Sequence, residues 1–358
     1  MIDLRGTAVI HSALSNCTFA NLQTMYPLRF QPLFRRYLWG GRRLATILQK
    51  TIGAEMAAES WEIVDHQDDQ SVVAHGPLAG QTLRQLLADS GAALLGAKVW
   101  RSITSPDIPP HLHGRFPLLF KFLDANQALS VQVHPDDRFG ELLSPPDLGK
   151  TEAWYVMHAE PGAKIFAGLK SGMTKSNFAA AVESNATESA LHWFEPRVGD
   201  CVFIPAGTIH ALGAGLVIAE IQQASNTTFR VYDWGRVEAT GQPRPLHIES
   251  AMAVTDFSRG PVQPQRVLSQ QAGHATLVSC DKFVLNRLSL DAPLLIAGDE
   301  KFHLLAVTRG EVRIEFDPSD QPLKFGETAL LPASLPALRL TPGTEGAELL
   351  EIHLPELY

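Results

Sequence analysis

GDCVFIPAGTIHAL, residues 199–212, reads as one short strand entered through a glycine and left through Pro205-Ala206, with His210 at the turn beyond it. Short runs of β-branched and aromatic residues favour pleated backbone, and Gly and Pro punctuate them. The arrangement returns weakly in GETALLPASLPALRL, residues 326–340. Each copy runs glycine, acid, four residues, then Pro-Ala, with the proline six positions after the glycine. TRGEVRIEF (308–316) reads as the hairpin that precedes the second copy. Eleven positions after its glycine the first copy has His210 and the second has Ala337. One copy retains a possible ligand and the other carries an inert methyl group, so shared architecture without shared chemistry is expected.

Working outward, ALSVQVHP, EAWYVMHAEPGAKIFAG, GLVIAEIQQ, HLLAVTRGEVRIEF and ETALLPA are further short β-rich runs separated by Gly, Pro and Asp. Many close-spaced strands without βαβ alternation predict a mainly β sandwich or barrel. Helical periodicity is confined to TLRQLLADSGAALLG (82–96) and SGMTKSNFAAAVESN (171–185). No strand-turn-helix carries a nucleotide-binding glycine fingerprint. The Pro/Gly/Gln-rich SRGPVQPQ (258–265) is the best domain boundary, separating residues 26–258 from 262–358.

A chain of 358 residues suggests two domains, and 45% hydrophobic with 19% charged residues argues against a disordered chain. The net charge of −8 argues against a broad nucleic-acid footprint, though a few local cations suffice for a small anion. Cys17, Cys201 and Cys280 are scattered and odd in number, which speaks against disulfides or a thiolate metal site and for a reducing, cytoplasmic setting. No run is long and apolar enough for a membrane helix. Residues 1–25 make a poor signal peptide and read as a poorly ordered extension, with Met25 an alternative start. The expected chain is a monomer or homodimer without nucleic-acid or membrane partners.

Gln132 and His134, at i and i+2 in LSVQVHPDD, would share one face of a strand with Val131 and Val133 on the other. Lys150 and Glu152 in GKTEAWYV stand in the same relation on a second strand, and His210 follows a third. Imidazole, carboxylate and amide oxygen around one point suit Zn²⁺ and accept Mn²⁺, Fe²⁺ or Co²⁺. Each histidine taken alone is more simply a surface or core residue, and Pro135-Asp136-Asp137 more simply a turn. Lys121 sits in an otherwise apolar run, where a lone buried ammonium is costly, so it points into a polar cavity or snorkels to the surface.

G-x5-P-x-G-x2-H (Gly199, Pro205, Gly207, His210) matches the second cupin motif, with Ala214 where its asparagine is expected. Gln132-x-His134 stands for the H-x-H of the first. Q-x-H-P-D-D followed by G-K-T-E-A-W-Y resembles the type I phosphomannose isomerases in their short bacterial form. The likeness runs on through YLWGGRRL (37–44), AESWEI (58–63), FPLLFKFLDA (116–125), PGAKIFAGL (161–169) and IQQASNTTFRVYDWGR (221–236). It is dense over 26–258 and weak beyond.

The resemblance implies two cupin-like jelly rolls with a few helical insertions, the second degenerate. It implies one zinc ion per chain, held by Gln132, His134, Glu152 and His210, and interconversion of mannose 6-phosphate and fructose 6-phosphate through a cis-enediol(ate). Arg230 matches the family's active-site arginine, Lys150 the lysine beside the carboxylate ligand and Lys121 the lysine of the F-K-x-L run. Arg230 and Lys150 would act in catalysis, and Lys121 and Arg230 would hold the sugar phosphate. The chain departs from the family at Ser225-Asn226, where Ser-Asp is usual, and an amide cannot accept a proton at neutral pH. A non-catalytic sugar-phosphate-binding cupin and an iron-dependent cupin oxygenase are the competing readings.

Overall fold

The computed structural model describes residues 25–237, 241–271 and 273–356, so all of the expected N-terminal extension except Met25 lies outside the described residues. The fold is mainly β, with three large antiparallel sheets arranged in layers and two small two-stranded pairs among the described residues.

The first sheet has five strands in the order Leu191–Phe194, Ile165–Leu169, His210–Leu212, Val131–Val133 and Phe229–Tyr232. The second has six, in the order Cys201–Ile204, Glu152–Ala159, Leu216–Gln223, Leu118–Ala125, Glu59–Ile63 and Leu33–Arg35. Sequence-distant strands are neighbours in both, as a jelly roll requires. The third sheet is built from the C-terminal strands between Ser269 and His353.

The middle sheet explains why its strands lack the usual exposed face. Every residue of Leu216–Gln223 and of Leu118–Ala125 is buried. One face, with Phe120, Phe122, Ala153, Tyr155, Ala219 and Ile221, joins an apolar cluster that continues into Leu304, Leu305, Leu349 and Leu350 of the third sheet. The other face, with Leu123, Trp154, Val156, Val202 and Ile218, packs on Ile165, Ala167 and Leu212 of the first sheet. Period-two alternation therefore survives as apolar against polar, with Glu220 and Gln222 alternating with Ala219 and Ile221, although nothing alternates in exposure.

Both expected helices form. Leu83–Leu95 starts at a Thr82–Gln85 capping box, is interrupted at Ser90, and stops at Gly96. Lys175–Glu183 is capped by the Thr174 side chain, and Phe178 buries against the outer face of the first sheet. Ala97–Ile103 and Ile248–Val254 are further helices that the apolar spacing did not announce. The expected hairpin in 308–316 is instead one strand, His303–Ile314, with register breaks on either side of Arg309–Gly310. Long pairing with Leu338–His353 carries it as one strand, through those register breaks, where the Arg-Gly pair suggested a turn. Segment 258–265 is irregular, and Val262 N–H donates to Ala167 O at 3.0 Å.

The two copies of the Gly…Pro-Ala pattern have similar local form. Each contains a four-residue strand, Cys201–Ile204 and Thr328–Leu331. Gly199 and Gly326 have φ of +91° and +79°, a left-handed conformation that side chains disfavour.

Candidate metal centre and adjoining cavity

The site lies between the first and second sheets, and cross-strand register assembles it. In the first sheet Gln132 pairs with His210 on one side and Arg230 on the other, so one row projects three polar side chains to one face. In the second sheet Glu152 pairs with Gln222, while Glu220 pairs with both Trp154 and Lys121. Two opposed faces, apolar elsewhere, are thus polar at one end. Gly207 shapes the turn before His210, with φ of +84° and room for an added Cβ only 3.0 Å from Val254 O.

His134, Glu152 and His210 offer ligand atoms that all lie within 4.8 Å of one another, and all three residues are buried. His134 Nδ1–H donates to Thr227 O at 2.8 Å, and His210 Nδ1–H donates to Thr208 O at 2.8 Å. Each bond fixes a tautomer whose Nε2 keeps its lone pair, the arrangement found around metal-binding imidazoles. Those Nε2 atoms stand 3.6 and 3.4 Å from the two oxygens of Glu152. The Gln132 amide nitrogen lies 3.3 Å from His210 Nε2, and a half-turn of the amide puts its oxygen there.

Burial holds the His210 imidazole down at about 4, and burial with Lys150 and His210 nearby holds His134 well below its ordinary value. Both rings are therefore neutral at physiological pH. Burial and the neighbouring Glu220 push the Glu152 carboxyl up. Burial alone would lower Lys121, but Glu220 and Glu59 outweigh it and hold the ammonium above its ordinary value.

Lys150 precedes the strand Glu152–Ala159 rather than forming part of it, yet its Nζ reaches Glu152 Oε2 at 2.9 Å and His134 Nε2 at 3.2 Å. Lys121 Nζ lies 3.3 Å from Glu220 Oε1 and 3.5 Å from Glu59 Oε1, so the buried ammonium faces a polar cavity rather than snorkelling out. Glu59, Glu152 and Glu220 are buried, with Lys121 and Lys150 as the ammonium groups paired to them among the described residues. When all five are ionised, this cluster carries one negative charge more than positive. Two imidazole Nε2 lone pairs, a carboxylate between them and surplus negative charge in this cluster form a donor set that fits a divalent cation once Lys150 Nζ and the Gln132 amide nitrogen turn away from those lone pairs.

A cavity of about 330 Å³ opens beside this cluster and is lined by Gln132, Lys121, Lys150, His210, Glu220 and Arg230 among others. Asn226, Trp39 and Trp154 also line it, whereas Trp61 packs in the core with Val64 and Leu119. Tyr232 stacks edge-on against Trp234 at 5.2 Å. Every lining residue lies between positions 37 and 244. Asp233 forms ion pairs with Arg236 and Arg244, and Arg230 Nη1 donates to Pro245 O at 2.9 Å. Asp136 caps the short helix Asp137–Gly140, in keeping with the simple turn reading of Pro135-Asp136-Asp137.

Sequence reading passed over Glu59, Glu220 and Arg244, all of which line the cavity. Glu220 left a signal in the Glu-Ile-Gln alternation inside an otherwise apolar run, and Glu59 lies within the AESWEI stretch of the family likeness.

Residues 27–150 match the family described as phosphomannose isomerase type I, catalytic domain. The chain is 34% identical over 327 residues to the mannose-6-phosphate isomerase ManA of Bacillus subtilis, covering 88% of this chain and 96% of that protein. It is 33% identical over 310 residues to the mannose-6-phosphate isomerase of Streptococcus mutans, covering 86% and 93% respectively. The crystal structure of the Bacillus subtilis mannose 6-phosphate isomerase superposes with a TM-score of 0.80 at 29% identity, covering 92% of this chain and 100% of that one.

Proposed function

The chain belongs to the type I phosphomannose isomerase family, and on that premise we propose that it interconverts mannose 6-phosphate and fructose 6-phosphate through a cis-enediol(ate), with zinc as its metal. The observation that carries this reading is the pair of buried Nε2 lone pairs, of His134 and His210, converging on Glu152 at the edge of a cation-lined cavity.

Moving a proton between C1 and C2 requires a base near those carbons, positive charge for the developing enolate and an anchor for the phosphate. His134, Glu152 and His210 would hold the ion, with Gln132 completing the set through its amide oxygen. Bound there, zinc supplies Lewis acidity that stabilises negative charge on the sugar oxygens. Lys150 lines the cavity, with its Nζ 2.9 Å from Glu152 and 3.6 Å from Glu220, and takes the proton-transfer role in this proposal. Arg230 offers a planar, permanently charged group suited to phosphate or enediolate oxygens. Lys121 contributes positive charge, and its two carboxylate neighbours fix its position. Trp39 and Trp154 provide apolar walls that limit water beside the reacting carbons.

Residues 26–258 would form the catalytic unit. Residues 262–358 would form a degenerate second unit that supports the back of the middle sheet.

A coupled assay with mannose 6-phosphate tests the reading directly. Chelation is expected to abolish turnover and added Zn²⁺ to restore it. Full turnover by a demonstrably metal-free preparation would remove the metal from the mechanism. Binding of fructose 6-phosphate with neither turnover nor exchange of solvent deuterium into it would support the non-catalytic sugar-phosphate-binding cupin instead.

A further inference from the structure

Asp147 lies outside the ligand cluster and does not line the catalytic cavity. Its carboxylate nevertheless gathers donors from one short segment of chain. Oδ2 accepts from Ser225 Oγ at 2.9 Å, from Thr227 Oγ1 at 2.8 Å and from the Asn226 backbone N–H at 3.3 Å. Oδ1 faces His66 Nε2 at 3.2 Å and accepts from Leu148 N–H at 2.9 Å.

The gathered segment, 225–227, connects the strand Leu216–Gln223 of the middle sheet to the strand Phe229–Tyr232 of the first sheet. Thr227 supplies the carbonyl that fixes the His134 tautomer, and Asn226 and Thr228 line the cavity. Arg230 follows directly on that second strand. Asp147 itself sits three positions before Lys150 and five before Glu152. One carboxylate thus joins the segment leading into Lys150 and Glu152 to the segment that orients His134 and leads into Arg230.

We infer that Asp147 is a positioning residue: by holding residues 225–227 it keeps Thr227 O on His134 Nδ1, and so keeps His134 Nε2 aimed at the metal position. This rests on the isomerase reading, but its first readout, metal affinity, does not need turnover.

The test uses the full chain with Asp147→Ala, Asp147→Asn and Thr227→Val. Zn²⁺ affinity is measured by competition with a chromophoric chelator, and kcat and KM with mannose 6-phosphate. For Asp147→Ala, Zn²⁺ affinity is expected to fall about 10–100-fold, as for other groups that orient metal ligands. Its kcat is expected to fall about 100-fold, the scale of a misplacement near 1 Å, with KM changed far less. Asp147→Asn retains an acceptor oxygen for the three donors and should recover most of both losses. Thr227→Val, which removes one donor, should weaken Zn²⁺ binding a few-fold and add nothing on top of Asp147→Ala.

Wild-type Zn²⁺ affinity and kcat in Asp147→Ala would overturn the inference. So would Asp147→Asn as impaired as Asp147→Ala, because the charge rather than the geometry would then matter. If Asp147→Ala does not fold, Thr227→Val decides: unchanged Zn²⁺ affinity and kcat in that variant sinks the idea. A zinc-loaded wild-type chain without turnover would overturn the isomerase reading instead, leaving the affinity comparison intact.

Discussion

His210 in the first sheet and His303 in the third are both buried, and the protein treats their nitrogens differently. His210 spends Nδ1 on a backbone carbonyl and leaves Nε2 facing a carboxylate 3.4 Å away. His303 has both nitrogens occupied, Nδ1 by Glu351 Oε1 at 2.5 Å and Nε2 by Asp299 Oδ1 at 3.0 Å. Asn286 Nδ2–H completes that second cluster by donating to the other Glu351 oxygen at 2.6 Å. The two rings shift in opposite senses as a result, although burial alone lowers both. His210 goes down because burial dominates, whereas at His303 the Glu351 and Asp299 carboxylates outweigh burial and raise it. A buried histidine with one open nitrogen is a ligand in waiting, and one with both nitrogens paired is a structural ion pair.

The largest expected effect comes from trading these two residues against each other. His210→Ala and Glu152→Ala should lose bound metal and at least about 10³-fold in kcat/KM, roughly 4 kcal/mol. His303→Ala should keep full metal content and lose stability instead, by about 3 kcal/mol, because Glu351 is left buried without its partner. Metal analysis of the purified variants decides this, and metal loss in His303→Ala would erase the distinction. Next in size is Arg230→Ala, expected to lose about 10²-fold in kcat/KM, the scale of one lost charge-stabilising donor. Arg313→Ala, on the exposed side of the third sheet, should change kcat/KM less than two-fold. Equal small effects would return Arg230 to a structural role.

The smallest effect is a pH signature. The raised His303 stabilises the fold fully below its ordinary value of 6.5, and that contribution fades as pH rises through the raised value. Burial would raise Glu351, but His303, His353 and Asn286 hold it below its ordinary 4.5, so its contribution is full above 4.5 and fades as pH falls through the lowered value. Glu351→Gln should therefore cost most between pH 4.5 and 6.5, about 2 kcal/mol, the scale of a charge-assisted hydrogen bond. Melting temperatures of wild type and variant across pH check this, and a gap independent of pH counts against the ion pair.

Much of this was legible before any coordinates. The Gly-x5-Pro-x-Gly-x2-His spacing marked His210 through its resemblance to a cupin motif, and period two placed Gln132 beside His134 because alternate strand residues share a face. The contrast between His210 and Ala337 was also readable, since the two copies align on their glycines and prolines. The hairpin expected in 308–316 failed because pairing along Leu338–His353 overrode a local turn signal. Asp147 gave no signal: Pro-Asp-Leu-Gly reads as a loop, and its partners lie about 80 positions away.

The sequence by itself determined the β-rich fold, because that depends on composition and period-two spacing, and it pointed to the family and to candidate metal ligands through motifs that resemble the type I phosphomannose isomerases. The tertiary structure alone decided that Lys121 faces Glu59 and Glu220, which nitrogen of each histidine stays open, and that Asp147 holds the segment behind His134. Those facts depend on which sheets face each other and in what register, and no local rule along the chain encodes that.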